Sequence, residues 1–396
     1  MRVLRRIAIA ISSLALLLGA AFGVAWLLAR ENIGRRPSAA AVQDSPQWRD
    51  GRFVNRLARV DGPMSETLRR WFLGGGSPHA SPSGPVPVQT RTAPDYAAPP
   101  ASGLRVTWLG HSTTLVEIGG QRLLTDPMFS ERASPFGFAG PIRFFAPPLA
   151  IGDLPTIDAV VISHDHYDHL DMASVRALAA RGTRFIVGRG VGARLRGWGV
   201  PDALVTELDW WQATTVGTLQ VTATPSRHFS GRWVHDQNGT LWAGWAIVSP
   251  QHRVYYSGDT ALLDDMIDIG TRLGPFDLAM IEVGEYDALW SDVHLGPEQA
   301  VRASRLVEAR AMLPVHWATF DLALHGWTEP IERTLVAAAS ERVQLATPMP
   351  GGMFEPTVAL PHTRWWPDVP WKSAREAPAY STGVAALLER TRPPSP

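Results

Sequence analysis

The chain has 396 residues, 45% hydrophobic and 19% charged, a composition that suits a globular core and excludes a largely disordered protein. Its 37 basic residues balance its 37 acidic ones. The overall positive charge typical of nucleic-acid binding is therefore absent, and we expect no nucleic acid as a partner. No cysteine occurs, so disulfides and thiolate zinc sites are excluded, and only histidine and carboxylate remain as metal ligands. No feature of the sequence indicates an oligomeric state.

Residues 1–30 are predicted to form a single-pass transmembrane anchor. The 23 residues from Ile7 to Ala29 carry no charge. As a helix they are long enough to cross a bilayer core of roughly 30 Å. The alternative is a cleaved signal peptide, whose apolar run should be shorter and end at a small-residue site. The run instead continues through Leu28, so we favour an uncleaved anchor. Flanking charges slightly favour an extracytoplasmic position for the rest of the chain.

Residues 31–103 read as a connector. Its strongest helical pattern is Met64–Leu73, followed by the Gly-, Pro- and Ser-rich stretch 74–88, which indicates a loop. At the other end, residues 361–396 are rich in Pro and Trp. We expect this C-terminal tail to lie over the domain that precedes it.

Residues 104–360 have the pattern of a compact α/β domain. Short apolar runs separated by Gly and Pro over 104–127 predict paired strands. From 158 onward, β-branched runs alternate with stretches of helical spacing, as at 172–182 and 297–309. Hairpins followed by such an alternation predict two sheets with helices outside them.

The sequence "ISHDHYDHLD" at 162–171 is the strongest functional signal. His164 and His166 are two apart on an extended segment, so their rings point the same way. Asp168 and His169 follow where the loop enters the next predicted helix. Neutral imidazoles and a carboxylate are ligands that suit zinc. A polar loop facing solvent is the alternative, but chance seldom places this pattern between a strand and a helix.

Three later strand ends offer further ligands. His228, Asp259 and His316 each follow a β-run, and a carboxylate at Asp259 is suited to bridging two cations. Each residue alone is a weak signal. Because all three occupy the same kind of position, together they predict a two-metal site.

This arrangement resembles the metallo-β-lactamase superfamily, over about residues 104–355. Within it the chain is similar to the branch containing N-acyl-phosphatidylethanolamine phospholipase D. The stretches that carry the resemblance are "TWLGHSTTLVEIGGQRLLTDPMFSERASP", "ISHDHYDHLD", "DVHLGPEQAV" and "PVHWATF". The resemblance implies a four-layer αββα sandwich with two zinc ions per chain.

The resemblance also implies how the ligands divide. One zinc would be held by His164, His166, His228 and Asp259, and the other by Asp168, His169, Asp259 and His316. His294 matches a family position near the substrate phosphate, although a surface role for it stays open. His111 and His325 are expected to contribute to substrate binding, with support of the site as the alternative for His111.

The predicted reaction is metal-assisted hydrolysis. Zinc lowers the pKa of bound water from ~15.7 to ~7, which supplies hydroxide without a strong base. Asp168 and Asp259 would orient this nucleophile, and His294 would donate to the phosphoryl oxygen or the leaving group. A phospholipid phosphodiester is the favoured substrate, with a lactone or other ester as the alternative. A third interpretation, a non-enzymatic membrane-tethered scaffold, predicts that some metal ligands are missing.

Overall fold

The computed structural model of this chain describes residues 2–390 and contains two seven-stranded sheets. The helices are α1 (Arg2–Ile33), α2 (Ala39–Val42), α3 (Met64–Phe72), α4 (Met172–Ala179), α5 (Gly192–Gly197), α6 (Asp265–Leu273), α7 (Pro297–Leu306), α8 (Glu329–Glu341) and α9 (Ala385–Arg390). The strands are β1 (Trp48–Arg49), β2 (Arg52–Phe53), β3 (Leu104–Gly110), β4 (Thr113–Ile118), β5 (Gln121–Thr125), β6 (Ala159–Ile162), β7 (Arg184–Gly188), β8 (Val205–Leu208), β9 (Ala213–Val216), β10 (Leu219–Thr224), β11 (Gly244–Val248), β12 (Arg253–Tyr256), β13 (Leu278–Glu282), β14 (Ala311–Val315), β15 (Gln344–Leu345) and β16 (Met353–Phe354).

The two sheets share one plan. The first has the order β16-β3-β4-β5-β6-β7-β8, and the second has the order β15-β14-β13-β12-β11-β10-β9. In each, an antiparallel meander leads into parallel strands: β5 to β8 in the first sheet and β12 to β15 in the second. Helices connect most of the parallel strands, as is usual for such crossovers, whereas a long loop over residues 126–158 joins β5 to β6. The carboxyl ends of the parallel strands within each sheet therefore lie at one edge.

Strand β6 shows how the layers are stacked. Successive strand residues point to opposite faces of a sheet. Ala159 and Val161 belong to the large apolar core that contains residues of both sheets. Val160 and Ile162 belong instead to a second core, which they share with Leu178 of α4. One face of the first sheet thus packs on the second sheet and the other on helices, which confirms the predicted αββα sandwich.

The sequence analysis missed helix α6 and the edge strands β8 and β9. Helix α6 contains Gly270, a residue that lowers helix propensity by about 1 kcal/mol relative to Ala. A Cβ there would lie 2.5 Å from the Leu306 carbonyl oxygen. The glycine is explained by close packing of α6 on the end of α7, a tertiary contact that local pattern does not reveal.

Helix α1 divides into an exposed part and a docked end. Leu16 and Leu17 are 75% and 68% exposed, whereas Ala29 in the last turn is fully buried. By length and composition, Leu4–Ile33 could cross a membrane, and a signal sequence would have the same features. Met1 of the predicted anchor and residues 391–396 of the predicted tail lie outside the described residues. Within the described tail, Trp365 and Trp366 are buried against the domain.

Candidate metal centre

The loop after β6 brings its polar side chains to the edge where the two sheets meet. His164 is fully buried directly after the strand, and helix α4 begins only at Met172. Asp171 caps that helix, because its carboxylate accepts hydrogen bonds from the backbone N–H groups of Ala173 and Ser174. The cap ends the loop and leaves Asp168 and His169 free to point into the site.

One group of predicted ligands consists of three imidazoles. Nε2 of His164 lies 2.8 Å from Nδ1 of His166, and Nε2 of His228 lies 3.3 Å from that same Nδ1. Burial lowers the pKa of all three rings, and neighbouring imidazoles lower those of His164 and His228 further. Three neutral nitrogens converging on one point are a suitable ligand set for zinc.

A second group contains Asp168, His169 and His316. Nε2 of His169 lies 3.1 Å from Nε2 of His316, and Oδ2 of Asp168 lies 3.1 Å and 3.3 Å from these two nitrogens. Asp168 and His169 lie in the loop after β6, whereas His316 follows the end of β14. The group joins the first sheet to the second.

Asp259 lies between the two groups. Its Oδ2 is 3.2 Å from Nε2 of both His169 and His316, and 3.8 Å and 3.7 Å from Nε2 of His164 and His228. Its Oδ1 is buried and has no hydrogen-bond partner. The structure therefore brings all seven predicted ligands together, with a carboxylate in the bridging position. Such a set of imidazoles and carboxylates is suitable for binding divalent metal ions.

The charges in this cluster depend on one another. Burial raises the pKa of Asp259, but the neighbouring His169 and His316 lower it by a larger amount. The pKa of this carboxyl is therefore well below its usual range. Burial lowers the pKa values of His169 and His316, and the neighbouring carboxylates outweigh this and raise both. In the absence of metal, protons on these imidazoles compensate the buried carboxylates. Metal ions binding here would displace those protons.

The chain adopts unusual backbone conformations to bring the strand ends together. Gly258 has φ +56°, and a Cβ there would lie 2.5 Å from the Ser163 Cβ. The glycine before Asp259 thus allows the loops of the two sheets to approach closely. His316 and His111 have φ of +64° and +50°. Residues other than glycine rarely adopt this left-handed backbone conformation, and those that do cluster at functional sites.

Asp126, at the end of β5, supports the centre and was missed by the sequence analysis. Its Oδ2 accepts hydrogen bonds from Nδ1 of His169 at 2.6 Å and from the Tyr256 hydroxyl at 2.5 Å. A carboxylate bonded to the far nitrogen of a metal-binding histidine fixes the tautomer and the ring orientation. The signal was present, since Asp126 also follows a β-run.

A buried network behind the loop was also missed. Arg194 is fully buried and pairs with Asp165 at 3.1 Å and Asp236 at 2.6 Å. Arg232 donates from Nη1 to the backbone carbonyls of Asp165 and Leu170, at 2.8 Å and 2.9 Å. These two guanidinium groups hold both ends of segment 164–169, which carries four of the predicted ligands.

Two of the predicted substrate-binding histidines lie away from the open cavity. His111 is 1% exposed, and its Nε2 contacts Oδ2 of Asp168 at 2.9 Å. Burial lowers its pKa to about 3, so the neutral ring donates from Nε2, and Nδ1 is left unpaired. His325 stacks on Tyr286 and accepts a hydrogen bond from the backbone N–H of Glu285. Their contribution to substrate binding stays a prediction.

His294 differs, because it faces the cavity. Its Nδ1 donates to Oε2 of Glu282 at 2.8 Å and lies 3.8 Å from Oδ2 of Asp259. Glu282 is fully buried at the end of β13. The sequence analysis identified His294 but not Glu282, which occurs inside the apolar run "LAMIEVG".

The centre forms the floor of a cavity of about 600 Å³. His166, Asp168, Asp259, His294 and His316 line its polar part. Its rim includes the apolar side chains Met64, Leu68, Trp71 and Phe72 of α3. A reactive polar floor under an apolar rim suits a substrate with a polar reacting group and an apolar remainder.

Comparison with known proteins agrees with this geometry. A family profile described as "Beta-lactamase superfamily domain" matches residues 121–317. An uncharacterized protein of Mycobacterium tuberculosis is 45% identical over 338 residues, covering 83% of this chain and 89% of that protein. N-acyl-phosphatidylethanolamine-hydrolyzing phospholipase D 1 of Caenorhabditis elegans is 38% identical over 249 residues, covering 60% of this chain and 69% of the relative. A metallo hydrolase from Ignicoccus hospitalis has a similar fold, with TM-score 0.50, 22% identity and coverage of 64% of this chain and 98% of that one.

The family match and the relatives, together with the histidine and carboxylate cluster at the sheet edge, identify a metal-dependent hydrolase. The chain belongs to the metallo-β-lactamase superfamily. The predicted family, fold and enzyme class are thereby confirmed.

Proposed function

We propose that the protein hydrolyses a phosphodiester of an N-acyl-phosphatidylethanolamine-type phospholipid with two zinc ions. The observation that carries the proposal is the convergence of seven ligand side chains at the floor of a cavity with an apolar rim. The relative from Caenorhabditis elegans, named for this reaction, supports the substrate class.

Helix α3 supports a lipid substrate. Met64 and Phe72 are 69% and 80% exposed at the rim of the cavity, although both are large and apolar. A salt bridge of 2.9 Å between Arg70 and Asp287 ties the other face of the helix to the domain. Exposed apolar surface beside a binding cavity is typical of a contact with lipid or another apolar partner.

The reacting groups have defined roles in this proposal. Two zinc ions would supply hydroxide near neutral pH and neutralise charge that develops on the phosphoryl oxygens. The carboxylates of Asp168 and Asp259 accept hydrogen bonds from the attacking nucleophile and orient it. His294, on the cavity wall, donates to the phosphoryl group or the leaving group. The apolar rim holds the acyl chains and excludes water from the floor.

The metal content tests the first half of the proposal. We expect the full chain, purified in detergent, to contain close to two zinc ions per chain by elemental analysis. Chelation should remove activity, and zinc should restore it. A protein that binds one ion, or binds iron or manganese in preference, would contradict the proposed dinuclear zinc centre.

The substrate class needs a direct comparison. N-acyl-phosphatidylethanolamine in detergent micelles, bis(p-nitrophenyl) phosphate and an acyl lactone should be assayed side by side. We expect the phospholipid to be cleaved with the highest kcat/KM and to give phosphatidic acid. The same ligands can also serve a lactonase, so activity on the lactone alone would replace the proposed function with that alternative.

We further propose that α1 anchors the enzyme in the membrane that contains its substrate, with the domain on the extracytoplasmic side. The exposed apolar surface of α1 supports an anchor. Membrane fractionation with intact-mass measurement tests it. A shortened chain in the soluble fraction would show a cleaved signal sequence instead. Protease access from outside intact cells tests the side.

A further inference from the structure

Arg59 is the only Lys or Arg side chain among the described residues that line the cavity. The acidic groups in the same lining are four carboxylates: Asp61, Asp168, Asp259 and Glu285. An arginine keeps its positive charge across the physiological pH range. Arg59 therefore gives the cavity wall a permanent positive charge that an anionic substrate meets as it enters.

The segment that carries Arg59 is hydrogen-bonded to the catalytic domain on both sides of that residue. On one side, Asn55 accepts a hydrogen bond from the backbone N–H of His228 at 3.1 Å and donates one to the His228 carbonyl at 2.8 Å. On the other side, the N–H of Val60 donates to Oδ2 of Asp292, a fully buried residue, at 2.8 Å. This part of the predicted connector therefore belongs to the cavity wall, and it gives Arg59 a fixed backbone.

The guanidinium of Arg59 lies beside the metal cluster. Its Cζ is 4.8 Å from the centroid of the Phe229 ring, and that centroid is 4.4 Å from the centroid of the His166 ring. Its Nε and Nη2 contact Oδ2 of Asp61 at 2.9 Å and 2.7 Å. Phe229 and Asp61 thus hold the guanidinium one aromatic ring away from a proposed metal ligand.

The contact between Arg59 and Asp61 can be exchanged for a contact with substrate. The two side chains are 22% and 43% exposed, and an ion pair in contact with solvent contributes little to stability. The planar guanidinium has five N–H donors, arranged so that they match the oxygens of a carboxylate or a phosphate. A phosphate can therefore take the place of Asp61 or share the guanidinium with it.

We propose that Arg59 binds a non-bridging oxygen of the substrate phosphate, and that this contact makes the site prefer an anionic phosphodiester to a neutral ester. This inference rests on the proposed function. The metal ligands alone do not determine the substrate class, since the same set can serve a phosphodiesterase or a lactonase. A positive charge on the wall separates the two classes, because only the phosphodiester carries a negative charge before it reacts.

The first test compares charged and neutral substrates in the full chain. We expect Arg59→Gln to lower kcat/KM by about tenfold or more on N-acyl-phosphatidylethanolamine and on bis(p-nitrophenyl) phosphate, since hydrogen bonds to charged groups are strong. The loss should appear mainly in KM, because the phosphate is charged in the ground state as well as in the transition state. Activity on the acyl lactone should stay within about threefold.

Arg56→Gln is the matched control for loss of one positive charge from the same segment. Arg56 pairs with Asp265 outside the cavity, so we expect its substitution to change none of the three rates.

Asp61→Asn tests the exchange from the other side of the ion pair. Asp61 competes with the substrate for the guanidinium, so a neutral side chain should let the phosphate bind more tightly. We expect KM on both phosphodiesters to fall about two- to fivefold, the range that a solvent-exposed ion pair supports. A purely structural pair predicts a loss in both variants, so a rise in KM in Asp61→Asn would contradict the exchange.

Ligand binding gives a readout besides activity. Dihexyl phosphate carries one negative charge, whereas its methyl ester, dihexyl methyl phosphate, is neutral. By calorimetry in detergent, Arg59→Gln should bind dihexyl phosphate about tenfold more weakly than the parent protein does, and it should bind the neutral ester with the same Kd. Zinc content, measured by elemental analysis, should be equal in the two proteins.

The outcomes separate this inference from the proposed function. Equal weakening of both ligands, or loss of zinc in Arg59→Gln, would show that Arg59 supports the shape of the site rather than binding the phosphate, and would overturn the inference. A parent protein that cleaves the lactone alone would overturn the proposed function instead. The calorimetric comparison would then still decide whether Arg59 binds a phosphate anion.

Discussion

The two sheets supply the metal centre in different ways. The first sheet contributes four proposed ligands from one six-residue segment after β6, from His164 to His169. The second contributes single residues after three separate strands: His228 after β10, Asp259 after β12 and His316 after β14. One half of the site thus comes from a single short segment of the sequence. The other half forms only because the topology brings distant strand ends to one edge.

Asp259 is where the two halves meet, so its substitution should have the largest effect. Asp259→Asn keeps the volume but removes the charge between His169 and His316. Changes to residues behind metal ligands already cost 10–100-fold in metal affinity or activity. We expect Asp259→Asn to lose most bound zinc and at least ~100-fold in activity, measured by elemental analysis and kcat/KM. Full activity with full metal content would remove Asp259 as the bridge.

The part of the site contributed by the first sheet depends on the buried ion pairs behind the loop after β6. Substitution of Arg194 tests that dependence. Arg194→Met leaves Asp165 and Asp236 buried without their cation. Breaking a buried pair by removing one partner costs about 3–5 kcal/mol. We expect a loss of that size in the free energy of unfolding, measured with denaturant, together with weaker zinc binding.

A triple variant provides the matched control for Arg194. Adding Asp165→Asn and Asp236→Asn to Arg194→Met removes the unpaired charges and should recover much of the stability. If the triple variant is no more stable than Arg194→Met, the cost comes from lost packing rather than from buried charge.

The docked end of α1 gives a smaller effect. Arg232 donates from Nε and Nη2 to the Asn32 carbonyl, at 3.0 Å and 2.8 Å, while its Nη1 donates to the Asp165 carbonyl in the loop after β6. Removing residues 1–35 takes away that carbonyl, and a buried donor left without a partner costs about 1–3 kcal/mol. We expect this truncation to lower the thermal midpoint and to weaken zinc binding.

Removal of residues 1–21 is the control, because residues 9–21 of α1 are exposed and the deletion keeps both Phe22, whose ring lies 5.6 Å from that of Trp233, and the docked end that contains Ala29. We expect this shorter truncation to match the full chain in detergent in both midpoint and zinc affinity. Equal behaviour of the two truncations would show that α1 serves only as an anchor.

The difference between the sheets also explains what the sequence could predict. The segment 164–169 combines ligand chemistry with strand and helix boundaries in one short motif, so it could be predicted as a metal-binding segment from the sequence alone. His228, Asp259 and His316 were readable only as a set, because each follows a predicted strand. Their convergence depends on the order β10-β11-β12-β13-β14, which composition and periodicity do not fix.

The supporting residues were harder to predict because their partners are distant in sequence. Asp126 meets Tyr256 across 130 positions, and Arg194 meets Asp236 across 42. Glu282 carried a local signal that was not used. A glutamate inside an apolar strand is rarely buried unless it is paired. Such a residue therefore predicts a partner, even though the sequence does not say which one.

His111 joins the two halves directly, and its acid sensitivity gives the smallest effect. Its carbonyl accepts a hydrogen bond from the N–H of His316, and its Nε2 donates to Asp168. Burial lowers its pKa to about 3, whereas an exposed histidine in the unfolded chain titrates near ~6.5. Between these values the unfolded state binds the extra proton, so stability falls as the pH drops below about 6.5 and levels off near 3.

His111→Gln removes that titration and retains a side-chain N–H for Asp168. In metal-depleted protein, we expect the variant to lose less stability than the parent between pH 7 and pH 5. The difference should approach 1.4 kcal/mol per pH unit at most. Denaturant unfolding at several pH values measures it, with the exposed His362→Gln as the matched control for loss of one histidine. If His111→Gln and the parent have the same acid slope, His111 is not held neutral where the two sheets meet.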